Sequence, residues 1–182
     1  MVSRQARGDV PAGTYHVTMR SAGPIAMFVD DFDRMDFCGR LARVIGRFAW
    51  TCRAFCLMTT HYHLLVDVAF NRLQPGMHRL NGQYAQEFNR KHGRSGHLRG
   101  DRYTATPVES DGHMLYAFRY IARNPVEGGL CASPGDWPWS SYRGCVGLDP
   151  GFAFVDNGLI RAYFGGDDED ALRLLRNFVE TP

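Results

Sequence analysis

Strand-like and helix-like patterns alternate along this chain in the order β-α-β-β-α-β-α. A β-rich stretch at 14–20 predicts the first strand. Apolar residues at helical spacing then predict a helix that Asp31 or Asp33 caps and that runs to about residue 48. The segment 49–68 divides into two β-rich runs, which predict neighbouring antiparallel strands joined as a hairpin.

The second part of the pattern adds two helices and a strand. Residues 75–92 predict a helix and residues 103–108 a short strand. Ser110 or Asp111 caps the next helix, which should end just before Pro125 because the residue that precedes a proline disfavours helical geometry. The whole order predicts an α+β fold, close to a ferredoxin-like antiparallel sheet with helices packed on one face.

Composition limits the class of protein. Apolar residues make up 45% of the 182 residues and charged residues 22%, which is typical of a globular domain and excludes a disordered or coiled-coil chain. No apolar run reaches the roughly 20 residues that a membrane helix needs. Five cysteines spread over the chain are typical of reduced thiols in a cytosol. We therefore expect a soluble cytoplasmic protein without a membrane partner.

The charges are segregated, although the net charge is only +2. Residues 72–102 hold seven arginines and lysines against two acidic residues, while acidic residues concentrate at 30–36 and 167–170. This pattern predicts a surface for a polyanion, on which Tyr84, Phe88 and Tyr103 could stack bases. A solvated basic face, or the arginine usage of a GC-rich genome, would give the same pattern.

His61 and His63 are the first candidates for chemistry. Residues two apart on a strand point to the same face of a sheet, so the two imidazoles can share one divalent metal ion while Tyr62 turns to the helix layer. The simpler interpretation is that one histidine caps a loop and the other is exposed.

A second candidate group lies on the helix before Pro125. Tyr116, Tyr120 and Asn124 are four residues apart and line one stripe of this helix. A phenol oxygen can attack a phosphodiester that a metal ion polarises, and Asn124 could add an oxygen ligand to a metal held by the histidines. The alternative is that both tyrosines are core residues and Asn124 is a polar helix end.

The order of short motifs resembles that of a known family. The histidine pair with its apolar neighbours resembles the HUH motif, and six further segments follow in the order seen in REP-associated tyrosine transposases, which are single-tyrosine enzymes related to insertion-sequence transposases. The resemblance spans about residues 13–147 and rests on the segments 61–66, 79–84, 88–93, 96–98, 102–103, 120–126 and 139–142.

The resemblance implies a fold, a chemistry and a set of site residues. In the family, the tyrosine that matches Tyr120 attacks single-stranded DNA and leaves a 5′-phosphotyrosine and a free 3′-hydroxyl. The histidines that match His61 and His63 and the asparagine that matches Asn124 surround Mg²⁺ or Mn²⁺. Tyr116 lies outside the motif and is the weaker candidate. The chain departs from the family pattern at Thr60, before the first histidine, and at Arg99.

The sequence therefore predicts a metal-dependent single-strand DNA endonuclease and strand transferase that acts on hairpin or palindromic repeat DNA. Residues 1–147 would form the transposase domain, and residues 148–182 an appendage that is not an independent domain. We expect a nucleoid-associated monomer or homodimer without a small-molecule cofactor. Contacts to DNA are expected from Arg79, Arg90, Lys91, Arg94, Arg99, Arg102 and Tyr103.

Three other interpretations stay open at the level of sequence. The chain could be a replication or plasmid-transfer nickase, although such enzymes are usually longer. It could be a domesticated hairpin-DNA binder whose cleavage is vestigial. It could also be a metal hydrolase on a small substrate, although the one carboxylate near the histidines is Asp67. This residue lies on the same strand face and could be a further metal ligand or a partner of one. In any of these, the acidic run 167–170 could shield the basic cleft.

Overall fold

The chain forms one four-stranded antiparallel sheet with helices on both faces. The computed structural model describes residues 9–98, 100 and 102–181. The strands are β1 (Gly13–Arg20), β2 (Thr51–Leu57), β3 (His61–Val68) and β4 (Thr104–Val108). The α-helices are α1 (Asp31–Phe48), α2 (Leu73–Lys91), α3 (Asp111–Glu127), α4 (Tyr142–Cys145), α5 (Gly158–Arg161) and α6 (Glu169–Glu180), with short 3₁₀ turns at Pro134–Asp136 and Ala162–Phe164.

The sheet has the strand order β2-β3-β1-β4, and every neighbouring pair is antiparallel. Strands β1 and β2 are consequently parallel to each other with β3 between them, and β3 and β4 are parallel with β1 between them. Helices α1 and α2 make the two crossovers. This arrangement of two interleaved βαβ units confirms the predicted ferredoxin-like fold.

Helices cover both faces of the sheet, and not one face as the sequence analysis expected. On one face α1 and α2 pack against Val17, Tyr62 and Leu64. On the other face α3 and α6 pack against Ala54 and Leu65. The reason lies in β3, whose residues 62–66 are all buried, so that both sides of this central strand need an apolar cover.

Two helix ends differ from their prediction. The cap of α1 is Asp30, whose carboxylate accepts the backbone N–H of Asp33 at 2.9 Å, while Asp33 reciprocates as the third residue of a capping box. Ser110, one of the two predicted candidates, caps α3. However, α3 continues through Pro125 to Glu127. The buried packing of Pro125 overrides the local preference of the residue before it, and only the one hydrogen bond that a proline cannot donate is lost.

The segment that follows α3 completes the core on the α3 face. Ile160, Leu175 and Val179 are fully buried there, and the Tyr142 hydroxyl donates to a Glu180 carboxylate oxygen at 2.6 Å. All five cysteines are free thiols, and four of them are buried. No helix in the described part of the chain is long and apolar enough to cross a membrane.

The acidic run 167–170 does not cover α2. Asp167 pairs with Arg161 at 2.6 Å, Asp168 caps α6, and Asp170 pairs with Arg173 at 2.8 Å. Helix α6 packs on the α3 face, whereas α2 packs on the opposite face. The run therefore does not shield the basic residues of α2, and nearby arginines take up part of its charge; shielding of the rest of the basic cleft stays a prediction.

Candidate active site

The two central strands bring a row of polar side chains onto the face that α3 covers. In the β1–β3 register, Thr18 is the partner of His63 and Arg20 is the partner of His61. Partner residues of an antiparallel pair share a face, and so do residues two apart on one strand. His16, Thr18 and Arg20 on β1 therefore lie beside His61 and His63 on β3.

Over β1 the described residues cover this face only in part. Helix α3 lies over β2 and β3. On β1 the side chains that face α1 and α2 are buried, whereas His16 and Thr18 on the α3 face are only half-buried. Next to them on β4, Thr104 and Thr106 are exposed. The histidines thus lie at the side of an accessible sheet surface.

His63 is the most buried member of the row, with 1% of its surface exposed. Its Nδ1 lies 3.0 Å from His16 Nε2 and 3.0 Å from Thr18 Oγ1. Its Nε2 is also buried but has no hydrogen-bond partner among the described residues. One side of the ring is therefore fixed by two polar neighbours, while the other side presents an unsatisfied nitrogen.

His61 lies next to it, with the two ring centroids 5.1 Å apart. Its Nδ1 is 3.3 Å from Thr60 Oγ1, and its Nε2 is 3.2 Å from the amide oxygen Oδ1 of Asn124. The last contact joins β3 to α3, and it links two residues that are 63 positions apart in the sequence.

Burial keeps both histidines neutral. The pKa of His63 is lowered to about 3, mainly by burial and to a lesser extent by the positive charges that His16, His61 and Arg20 can carry, against an opposing effect of Asn124. The pKa of His61 is also lowered, chiefly by burial, against an opposing effect of its contact with Asn124. A neutral imidazole carries one lone pair that a cation can bind. On His61 the Nε2 that contacts the Asn124 oxygen carries the proton, so this proton would have to move to Nδ1 before Nε2 could bind a cation.

Helix α3 supplies Tyr120 and Asn124, one turn apart. The Tyr120 ring meets the His63 ring edge-on with centroids 5.4 Å apart, and the His16 ring at 5.8 Å. Asn124 is buried, with 7% exposed. Tyr116, one turn earlier, is 67% exposed, and no ring contact joins it to a described histidine.

The residues present fit a divalent metal ion. The buried, unsatisfied Nε2 of His63 is a free ligand position, and the 3.2 Å between His61 Nε2 and Asn124 Oδ1 is close to the roughly 3 Å that separates neighbouring ligands in an octahedral Mg²⁺ site. No group of three or more His, Cys, Asp or Glu side chains in the described ranges forms a metal site. The candidate ligand set is therefore two imidazoles and one amide oxygen.

Comparisons with known proteins identify the family. Residues 9–124 match the sequence profile described as "Transposase IS200 like". The chain belongs to the IS200-like transposase family. The matched region contains both histidines, Tyr120 and Asn124, and it confirms the resemblance drawn from the sequence motifs.

One solved structure shows that this IS200-like transposase shares its fold with a known protein. A REP-associated tyrosine transposase bound to a REP hairpin matches it with a TM-score of 0.67 and 17% identity, covering 86% of this chain and 93% of that one. A candidate transposase from Deinococcus radiodurans R1 matches with a TM-score of 0.44 and 16% identity, covering 69% and 97% respectively. The comparison with curated proteins gives no match.

The basic residues predicted to bind DNA are spread over two regions of the transposase. Arg79 and Arg90 are exposed on α2, on the opposite face from the histidines, and Arg90 forms an ion pair with Glu87. Lys91 is held by Asp30 and Asp33 at 2.7 and 2.8 Å. These contacts direct Arg90 and Lys91 at carboxylates of the protein itself.

The other predicted DNA contacts follow α2. Arg94 and Arg102 are exposed and form no ion pair with a described residue, and Tyr103 packs against the core. Because Thr104 is the β4 partner of Thr18, Arg102 lies near the end of the sheet where Arg20 faces His61. Arg99 lies outside the described residues.

Asp67 does not belong to the site. Its carboxylate accepts a hydrogen bond from Thr14 at 2.6 Å and contacts Arg53 Nε at 2.8 and 3.0 Å. It lies four residues from His63, about 13 Å along the strand. The even spacing of Asp67 and the histidines on β3 predicts correctly that they share a face of the sheet. The prediction that Asp67 is a further metal ligand is wrong, because Asp67 lies too far from the histidines along the strand.

Sequence reasoning missed His16, Thr18 and Arg20. They occupy alternate positions of β1, the same period of two that identified the histidine pair. The signal was therefore present in the sequence. Only the register of β1 against β3, which depends on the tertiary fold, shows that the row lies beside the histidines.

Proposed function

We propose that this transposase is a metal-dependent endonuclease and strand transferase that acts on single-stranded, hairpin or palindromic repeat DNA. The observation that carries the proposal is the convergence of Tyr120 and Asn124 from α3 with His61 and His63 from β3. Membership of the IS200-like family supports the reaction class. The hairpin bound to the REP-associated relative supports the class of DNA.

His61, His63 and Asn124 are the residues that would hold Mg²⁺ or Mn²⁺. The bound ion would neutralise charge on the scissile phosphate and make its phosphorus more electrophilic. The protein residues contribute neutral lone pairs, because burial keeps the pKa of both histidines low. Asn124 contributes an oxygen that it now directs at His61.

Tyr120 would act as the nucleophile. Its phenol oxygen forms a bond to phosphorus as the bond from phosphorus to the 3′-oxygen breaks, the phenol loses its proton, and the leaving oxygen takes up a proton to become a 3′-hydroxyl. The product is a 5′-phosphotyrosine. A second 3′-hydroxyl can attack that linkage, release Tyr120 and rejoin the DNA, because the phosphotyrosine retains a phosphodiester. The packing of α3 on β3 holds the nucleophile beside the histidines, which favours attack in one orientation.

The DNA would approach over the open surface of β1 and β4. Arg20 and Arg102 lie at the end of this surface next to His61 and have no ion pair with a described residue, so they are the first candidates for phosphate contacts. Arg94, Arg99 and Tyr103, which follow α2, would extend the contacts, whereas Arg79 on the opposite face would reach only DNA that extends past the edge of the sheet. Arg90 and Lys91 would contribute less, since each must first leave an acidic partner.

The test uses single-stranded hairpins labelled at either end, incubated with Mn²⁺ and resolved on denaturing gels. We expect the wild-type protein to form a covalent adduct with the 3′-side fragment. Tyr120→Phe should bind the same hairpins without forming the adduct. Tyr116→Phe is the matched control and should form the adduct at the wild-type rate, because this side chain is exposed and away from the histidines. Tight binding without an adduct in any protein would contradict the proposal and favour a DNA-binding protein.

A further inference from the structure

His16 contacts both parts of the candidate active site. Its Nε2 lies 3.0 Å from Nδ1 of His63, and the two ring centroids are 5.2 Å apart. Its ring also meets the Tyr120 ring at 5.8 Å with an interplanar angle of 64°. No motif in the sequence singled out this residue, and the proposed reaction has given it no role.

The proton on His63 decides whether this side chain can bind a cation. A neutral imidazole carries one N–H, so Nε2 has a free lone pair only when the proton is on Nδ1. Nε2 is the nitrogen that is buried without a partner, next to His61 and Asn124. With the proton on Nε2 instead, the buried N–H would make no hydrogen bond of good geometry with the described residues, and no lone pair would face the site.

Two neighbours can accept a proton from Nδ1 of His63. Thr18 Oγ1 lies at 3.0 Å, but a hydroxyl can rotate to donate as well as accept, so it does not select a tautomer. The imidazole of His16 is more restricted, because it packs against the rings of both His63 and Tyr120, which also contact each other. With its own proton on Nδ1, His16 offers only a lone pair at Nε2.

We propose that His16 is a positioning residue. Nε2 of His16 accepts a hydrogen bond from Nδ1–H of His63, so that the lone pair of His63 lies on Nε2 and faces the site. The ring of His16 also packs against the ring of Tyr120 and holds it in place. Hydrogen bonds of this kind fix the tautomer and orientation of metal-binding histidines in other proteins. The proposal rests on the proposed function for its metal ion, but the tautomer itself can be measured without metal or DNA.

Two substitutions test separately the hydrogen-bond acceptor and the aromatic ring of His16. His16→Phe keeps an aromatic ring against Tyr120 and removes the acceptor. His16→Gln removes the ring but provides a side-chain oxygen that can accept the proton. The exposed His78 on α2 provides the matched control, His78→Phe, on the opposite face of the sheet. Thermal unfolding of all variants verifies that each is folded.

The first measurement is the protonation of the His63 ring in metal-free protein, read from its ¹⁵N chemical shifts at neutral pH. We expect the proton on Nδ1 in wild type, His78→Phe and His16→Gln, and a shift of the proton towards Nε2 in His16→Phe. A wild-type proton on Nε2, or a tautomer that His16→Phe leaves unchanged, would overturn the proposal.

The second measurement is the affinity for Mn²⁺ alone. We expect His16→Phe to bind Mn²⁺ about 10- to 100-fold more weakly than wild type, the range found when such partners are removed, and His16→Gln to recover most of the loss. Equal weakening in both variants would show a packing role and would contradict the proposal. If the wild-type protein bound no Mn²⁺, the proposed metal site would fail, and the tautomer measurement would still decide the role of His16.

Discussion

The close contact between Gly76 of α2 and Trp50 provides a test of the packing on the α1–α2 face. A Cβ atom added at Gly76 would lie 2.2 Å from Cζ2 of Trp50, and 2.8 and 2.9 Å from two further atoms of the indole. The indole has little freedom to move. Trp50 is 4% exposed, and its Nε1 donates to the carbonyl oxygen of Arg72 at 3.3 Å.

The magnitude follows from two opposing contributions. Overpacking of a core by one methyl group costs about 1–3 kcal/mol, and a 2.2 Å contact with a fixed ring belongs at the upper end. Alanine in a helix interior is favoured over glycine by about 1 kcal/mol. We therefore expect Gly76→Ala to lower the free energy of unfolding by about 2 kcal/mol. The same change at Gly82, which is exposed on α2 with nothing within 4 Å, should raise it by up to about 1 kcal/mol.

Urea unfolding at neutral pH measures both changes, and the dependence of the free energy on urea should be the same for all three proteins. Helix α2 lies on the opposite face of the sheet from the histidines, so the folded Gly76→Ala protein should keep the wild-type affinity for Mn²⁺. If Gly76→Ala and Gly82→Ala stabilised the protein equally, the close packing of α2 on Trp50 would be refuted.

Three further predictions concern stability. The pKa of His63 is lowered from 6.5 to about 3, chiefly by burial, so the unfolded chain takes up the proton first as the pH falls. The free energy of unfolding should therefore decrease by about 2 kcal/mol from above pH 6.5 to pH 5. Urea unfolding at both pH values should show a smaller decrease in His63→Gln. An equal decrease in both proteins would contradict this. Tyr142→Phe removes the 2.6 Å hydrogen bond to Glu180 and should lower the free energy of unfolding by about 1–2 kcal/mol. Glu180→Gln keeps a hydrogen-bond acceptor and should lower it less. An unchanged thermal midpoint in Tyr142→Phe would contradict a stabilising role of this bond. Asp33→Asn weakens the ion pair between the start of α1 and Lys91, and urea unfolding should show a loss of about 1–3 kcal/mol in stability. Lys91→Met should destabilise the protein less, because the ammonium of Lys91 is partly exposed. A larger loss in Lys91→Met than in Asp33→Asn would contradict the burial of Asp33.

The sequence was sufficient for the order of elements because each element has its own local pattern. Helical spacing of apolar residues and capping residues are local signals, and Ser110 was placed correctly. The cap of α1 was misplaced by one residue because three aspartates lie close together there, and only backbone geometry distinguishes Asp30 from Asp31. The passage of α3 through Pro125 was missed because tertiary burial overrode a local preference.

The candidate site was predictable only in part, for a related reason. His61 and His63 are two apart, and Tyr120 and Asn124 are four apart, so each pair shares a face of its own element. Their contact across the α3–β3 interface depends on long-range packing. The resemblance to a family anticipated it, and the 3.2 Å contact between His61 and Asn124 agrees with it. Register alone identifies His16, and no local pattern reports register.

The position of the covalent linkage on the protein tests most directly whether Tyr120 is the nucleophile. The wild-type protein is reacted with a single-stranded hairpin and Mn²⁺, the DNA of the adduct is digested with a nuclease, and the protein is digested with trypsin for mass spectrometry. Arg119 separates the two candidate tyrosines, so that the peptide 120–123 contains Tyr120 and the peptide 103–119 contains Tyr116. We expect a nucleotide mass on the peptide 120–123. A nucleotide mass on the peptide 103–119, or on neither peptide, would contradict this expectation.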